Sequence, residues 1–110
     1  MNILAGTTHA LRFKPGTEAT ADAPAVVDSF VAHDHDDTVG PTFKIKTLGY
    51  FEHLAAHEKD GQAAIVAEYF RIGLVDIDGD KSAAEKFRAN PSQRLAPALF
   101  NAIHEASAGN

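Results

Sequence analysis

No cysteine occurs in the chain, which excludes disulfides and thiolate metal sites together. Basic residues are scarce as well: ten Lys and Arg stand against fifteen Asp and Glu, a formal charge of −5. That balance disfavours binding to a phosphate backbone, which rests on clustered Lys and Arg, so no nucleic-acid partner is expected. Met1-Asn2-Ile3-Leu4 carries no basic lead and opens no extended apolar run. Neither a signal peptide nor a membrane span is therefore expected, and the reading is of a soluble cytoplasmic protein. There is no internal repeat, no GxSxG elbow, no P-loop and no GxGxxG, and Gly6-Thr7-Thr8-His9 is too short to cradle a phosphate. These absences leave no catalytic residue and no cofactor to assign.

What is present suits one domain over residues 1–110, with 45% hydrophobic residues and room for a modest core. The dominant stretch is QAAIVAEYFRIGLVDIDG, Gln62 to Gly79. Ile65, Val66, Tyr69, Phe70, Gly73 and Leu74 fall along one stripe of a helix, with Glu68 and Arg71 off it, so this is the expected core helix. Asp60 or Gln62 is expected to cap it, and Val75 to Asp80 to be its exit into a turn.

Upstream, His9–Phe13 is expected to form a strand ended at Lys14-Pro15-Gly16-Thr17, where Pro then Gly is the signature of a type II turn. Thr17–Pro24 has no periodicity and reads as a mobile loop. Ala25–Ala32 is β-branched enough for a strand, with a short helix as the alternative, and Gly40-Pro41 closes the polar run after it. In Thr42–Leu48, Phe43, Ile45 and Thr47 alternate with Lys44 and Lys46, the pattern of a half-buried antiparallel strand. Tyr50, Phe51, Leu54 and Ala55 give the next helix its apolar face, ending near Asp60-Gly61, and so short a break makes the two helices neighbours. A helix follows at Ser82–Arg88, carrying Phe87. The last begins at Asn90-Pro91-Ser92-Gln93 or, because Pro97 would sit inside it, near Ala96, and ends at Gly109. The expected fold is α+β: short N-terminal antiparallel strands (1–48) followed by a three- to four-helix part (49–107).

Three groups resemble metal sites. His33-Asp34-His35-Asp36-Asp37 has the right donors, but in a strand only His33, His35 and Asp37 share a side. Its composition favours a solvated acidic loop. His53 and His57 share a helix face at i, i+4, yet Leu54 stands where HExxH needs Glu, so a solvent-facing pair is expected. Asp76, Asp78 and Asp80 open like a calcium loop, but Lys81 and Phe87 occupy the positions that require Gly and Glu, which leaves a turn with capping aspartates. No metal site is assigned.

The second half, with FKIKTL (Phe43–Leu48), then YFRIGLVDIDG (Tyr69–Gly79), then NPSQRLAPALFNAIHEAS (Asn90–Ser107), resembles the tail assembly chaperones of long-tailed bacteriophages. Members often carry a strand of the form F-x-L/I-R/K-x-L, a helix ending G-L-V-x-W-x-G and a closing amphipathic helix. LRFKPGTEATADAPA is similar to their lead-in. Ile77 stands where that phrase has Trp, and Val26–Gly40 is similar to an insertion. The resemblance implies a protein without an active site that coats the apolar helical tape-measure protein and recruits tail-tube subunits, and it is compatible with self-association. Leu95, Leu99 and Ile103 of the last stripe are the expected partner-binding residues. A structural tail or neck component is the alternative, and a metal-dependent enzyme or sensor on His33, His35 and Asp37 a second.

Overall fold

Alternation along one strand sets the architecture. In the computed structural model, which describes residues 6–108, Phe43, Ile45 and Thr47 turn inward and are at most 2% exposed, while Lys44 faces out. They belong to or directly follow β3 (Val39–Lys46), which lies inside a four-stranded antiparallel sheet with β1 (Thr8–Lys14), β2 (Ser29–Ala32) and β4 (Leu74–Ile77) in the order β2-β1-β3-β4. The fold is α+β, as expected. The helices are α1 (Tyr50–His57), α2 (Gln62–Gly73), α3 (Lys81–Ala89) and α4 (Leu95–Ala108). Among the described residues no helix is long and apolar enough to cross a membrane. Met1–Leu4, where no signal peptide is expected, and Gly109, the expected end of the last helix, lie outside the described residues.

One face of the sheet carries a file of aromatic rings. Phe13 meets Phe30 at 5.6 Å between centroids, Phe30 meets Phe43 at 5.0 Å, and Phe43 meets Phe87 of α3 at 5.4 Å. Phe87 reaches Phe70 of α2 at 5.7 Å. The tilted and edge-on geometries bring positive ring edges to negative faces, worth about 0.5–1.5 kcal/mol per pair beyond burial. Tyr69, Leu99 and Ile103 complete the core, each 0% exposed.

Several expectations need correction. Val75–Asp80 is not merely a helix exit: Leu74–Ile77 is β4, paired with β3 from Phe43↔Ile77 to Ile45↔Leu74. The turn beyond it is a two-residue reversal at Asp78-Gly79, both with positive φ (54° and 78°), closed by reciprocal Ile77–Asp80 backbone bonds. That is the Asp-Gly pattern of a primed turn. The aspartates serve as read: Asp80 accepts from the Ser82 and Ala83 N–H groups as the cap of α3, and Asp76 accepts from Gly79 N–H. Neither Asp60 nor Gln62 caps α2; its N-cap is Gly61, with φ 93° and no side-chain bond. Gly40-Pro41 does not close a loop but lies within β3, at an irregularity of the β1–β3 register. There Pro's missing donor costs least. Gly16 does not have the positive φ of a type II turn. It is needed for close approach, since a Cβ would lie 2.2 Å from the Val26 carbonyl oxygen.

Two polar ties hold the helices to the sheet. Arg94 forks onto Asp28 at 2.9 and 3.1 Å and lies over the Phe13 ring. Asp28 also accepts from Gly16 N–H, and the Arg94 bond, then the Gly16 bond, hold its carboxyl below the usual range. At the other end the Ser107 hydroxyl donates to the Ile103 carbonyl and accepts from Leu48 N–H at 2.9 Å, so α4 fixes the backbone just before α1.

Between α2 and α4 the contact is too tight for a side chain at Gly73. A Cβ there would stand 2.8 Å from Ile103 Cγ2 and 3.3 Å from the Lys46 carbonyl oxygen. Gly73→Ala is expected to lower unfolding stability by about 1–3 kcal/mol through overpacking, read from urea denaturation at unchanged slope. Wild-type stability would show that the helices part without cost.

Candidate functional site

Polar chemistry gathers around one hydroxyl. The stripe of α2 puts Tyr69 in the core, 0% exposed, and a buried phenol O–H needs partners. It finds two on α1: the hydroxyl oxygen lies 2.6 Å from His53 Nδ1 and 3.0 Å from His57 Nε2. The phenol has one proton, so it donates to one imidazole and accepts N–H from the other. From α4, His104 closes the group, its ring centroid 5.9 Å from His53, 6.3 Å from His57 and 6.0 Å from Tyr69. One ring nitrogen of each histidine lies within 4.8 Å of the others'.

Local sequence explains the arrangement. α1 starts at Gly49, whose N–H is bonded by the Glu52 carboxylate at 2.9 Å, half of a capping box. With the start fixed by that bond and by Ser107 on Leu48, positions 53 and 56 face inward and 57 lies at the rim: Ala56 is buried, His53 half-buried and His57 open to solvent while its Nε2 reaches the Tyr69 hydroxyl. The histidine pair is therefore not simply solvent-facing, as its spacing suggested; it satisfies the core tyrosine.

Burial pushes His53 below the ordinary imidazole pKa, and the charged forms of His57 and His104 push it further. Burial pushes the Tyr69 phenol up. Both shifts favour the uncharged forms, a neutral His53 imidazole beside an un-ionised phenol.

The surface of α1 that flanks the histidines is apolar and open. Tyr50 is 72% exposed, Phe51 82% and Leu54 40%, the two rings 5.8 Å apart. This overturns the expectation that these residues pack inward. The converse holds for the stripe on α4: Leu99 and Ile103 are fully buried and Leu95 half-buried against the core, because α4 fills the space over Tyr69 and Gly73. As folded, Leu99 and Ile103 offer no surface to a partner. Beside them, Gln62, Val66, Ala96, Pro97, Phe100 and Asn101 line an open groove of about 290 Å³ with no titratable side chain.

His33, His35 and Asp37 stand at or beside the turn between β2 and β3, and all are exposed. His35 Nδ1 is bonded to the Asp36 carbonyl, and Asp37 takes a positive φ of 67°. Among the described residues, the trio that converges at ligand separation is His53, His57 and His104 instead. Its i, i+4 half was legible; His104 carries no sequence signal tying it to that pair.

No protein-family profile, curated protein or solved structure matches the chain.

A group whose folded pKa is depressed binds protons more readily in the unfolded chain, so His53 contributes stability that is lost as pH falls below the ordinary imidazole value, about 6.5. In an NMR titration the His53 ring is expected to protonate at lower pH than in the urea-unfolded chain. An equal or higher midpoint would contradict the site's desolvation.

Proposed function

We propose that this chain is a non-catalytic assembly chaperone of the phage-tail type, which takes up an apolar helix of a tape-measure protein on the outer face of α1. The observation carrying this reading is the exposure of Tyr50, Phe51 and Leu54 together. Each apolar side chain left in water forgoes about 1.5–3 kcal/mol of burial. Clustered exposure of this kind marks interaction surfaces more often than chance. Residues at i, i+1 and i+4 match a partner helix presenting its own apolar stripe. Glu52 in α1 and Glu58 at its C-terminal cap, in a chain of net charge −5, favour a partner with basic residues flanking that stripe.

The resemblance of Phe43–Leu48, Tyr69–Gly79 and Asn90–Ser107 to tail assembly chaperones supports the same class. The proposed binding residues differ from the apolar stripe Leu95, Leu99 and Ile103 expected from the sequence, and lie on α1 instead of the closing helix. Tail-tube recruitment and a cytoplasmic place in the infected host belong to the same proposal.

A Phe51→Glu/Leu54→Glu variant tests it, because both side chains are solvent-facing and the fold should survive. Far-UV circular dichroism and Tm are expected to match the wild type. Recovery of the tape-measure protein in pull-downs from infected cells should fall at least about tenfold, the loss of roughly one anchor residue. Undiminished recovery would move the binding site elsewhere. Recovery of no tail protein by the wild type would overturn the chaperone reading, and stoichiometric presence in purified virions would replace it with a structural tail component.

A further inference from the structure

We propose that His53, His57 and His104 form a binding site for one divalent transition-metal ion, zinc being the ion best suited to it. Three imidazoles from two helices converge with one nitrogen each inside 4.8 Å. Around tetrahedral zinc, at about 2.0–2.1 Å per bond, ligand nitrogens lie about 3.3 Å apart, so small rotations of the three rings close the site. His53 and His57 are one helical turn apart, the spacing that directs two imidazoles onto one ion. An all-imidazole set without carboxylates selects zinc, nickel or copper over magnesium or calcium.

Two further features favour a metal over a merely structural polar cluster. His57 is exposed, which gives the ion an entry path and keeps one coordination position accessible to water. The Tyr69 hydroxyl, 2.6 and 3.0 Å from two of the nitrogens, stands beside the ion as an oxygen donor or as the acceptor that orients a ring. On metal binding the single N–H of each neutral ring lies on the nitrogen away from the ion, by tautomerisation where needed, and a nitrogen bonded to the Tyr69 hydroxyl exchanges that bond for the metal.

A bound ion would cross-link α1 to α4 over the core. It would stiffen the helix that carries Tyr50, Phe51 and Leu54. The site is independent of the partner proposed above and stands or falls separately.

The test uses untagged, chelator-stripped protein titrated with zinc chloride by calorimetry and with cobalt(II) by visible absorption. One ion per chain is expected, with the intense visible bands of tetrahedral cobalt and a Tm that rises with zinc concentration. His57→Ala and His104→Ala should each weaken binding by about 10–100-fold or more, since changing even an outer-shell partner costs that much. His33→Ala/His35→Ala should bind as the wild type does. Because His57 is exposed, its variant should keep the wild-type circular dichroism and remain a fair test even if His104→Ala fails to fold. Absence of saturable binding, wild-type affinity in His57→Ala, or loss of binding in the His33/His35 variant would each overturn the proposal.

Discussion

A phenol hydroxyl buried in an apolar core must be hydrogen-bonded, and at Tyr69 that requirement organises the molecule around it. Leaving the O–H unpaired would cost about 1–3 kcal/mol, a large part of the stability of a small domain. The groups that answer it are His53 and His57, so α1 presents its histidines to the core. An α-helix has only one inward face. With Ala56 and His53 turned to it, Phe51 points away, and Tyr50 and Leu54, one turn from the histidines, lie on the exposed flank. The candidate metal site and the exposed apolar surface are thus neighbours on one short helix.

The rest of the fold keeps that helix in place. The Ser107 hydroxyl on Leu48 N–H and the Glu52 carboxylate on Gly49 N–H fix where α1 begins. Gly73 lets α4 close over α2, bringing Ile103 into the core and His104, one residue on, to the histidine pair. Arg94 and Asp28 tie the entrance of α4 to the strand hairpin. An eight-residue helix is marginal alone, so α1 is ordered by these tertiary contacts rather than by propensity.

Periodicity made the long elements legible. Phe43, Ile45 and Thr47 declared β3, and the stripe from Ile65 to Gly73 declared α2, because many residues there repeat one environment. Leu74–Ile77 escaped because four residues directly after a helix are too few to show a period of two, and Gly73, at the junction, falls on the helical stripe; only the Asp78-Gly79 turn hinted at a strand. Tyr50, Phe51 and Leu54 were read inward because apolar residues usually are, and no local signal shows that a distant tyrosine has claimed the other face. Gly16 looked like a turn glycine, whereas its role is set by the Val26 carbonyl across the hairpin. The site was half visible: His53 and His57 announce a shared face, but His104 joins them only through the packing of α4 on α2.

Native-state hydrogen exchange on a Tyr69→Phe variant tests most directly whether the tyrosine hydroxyl holds α1. The substitution keeps the ring and its packing against Phe100 while deleting the two bonds to α1. Local opening should become easier in α1 alone: amides of the last turn of Tyr50–His57 should exchange about 5- to 13-fold faster, in line with the loss of about 1–1.5 kcal/mol of hydrogen bonding, while those of β1 and β3 keep their protection. Unchanged protection in α1, or a uniform loss across the sheet and α1 alike, would contradict the account.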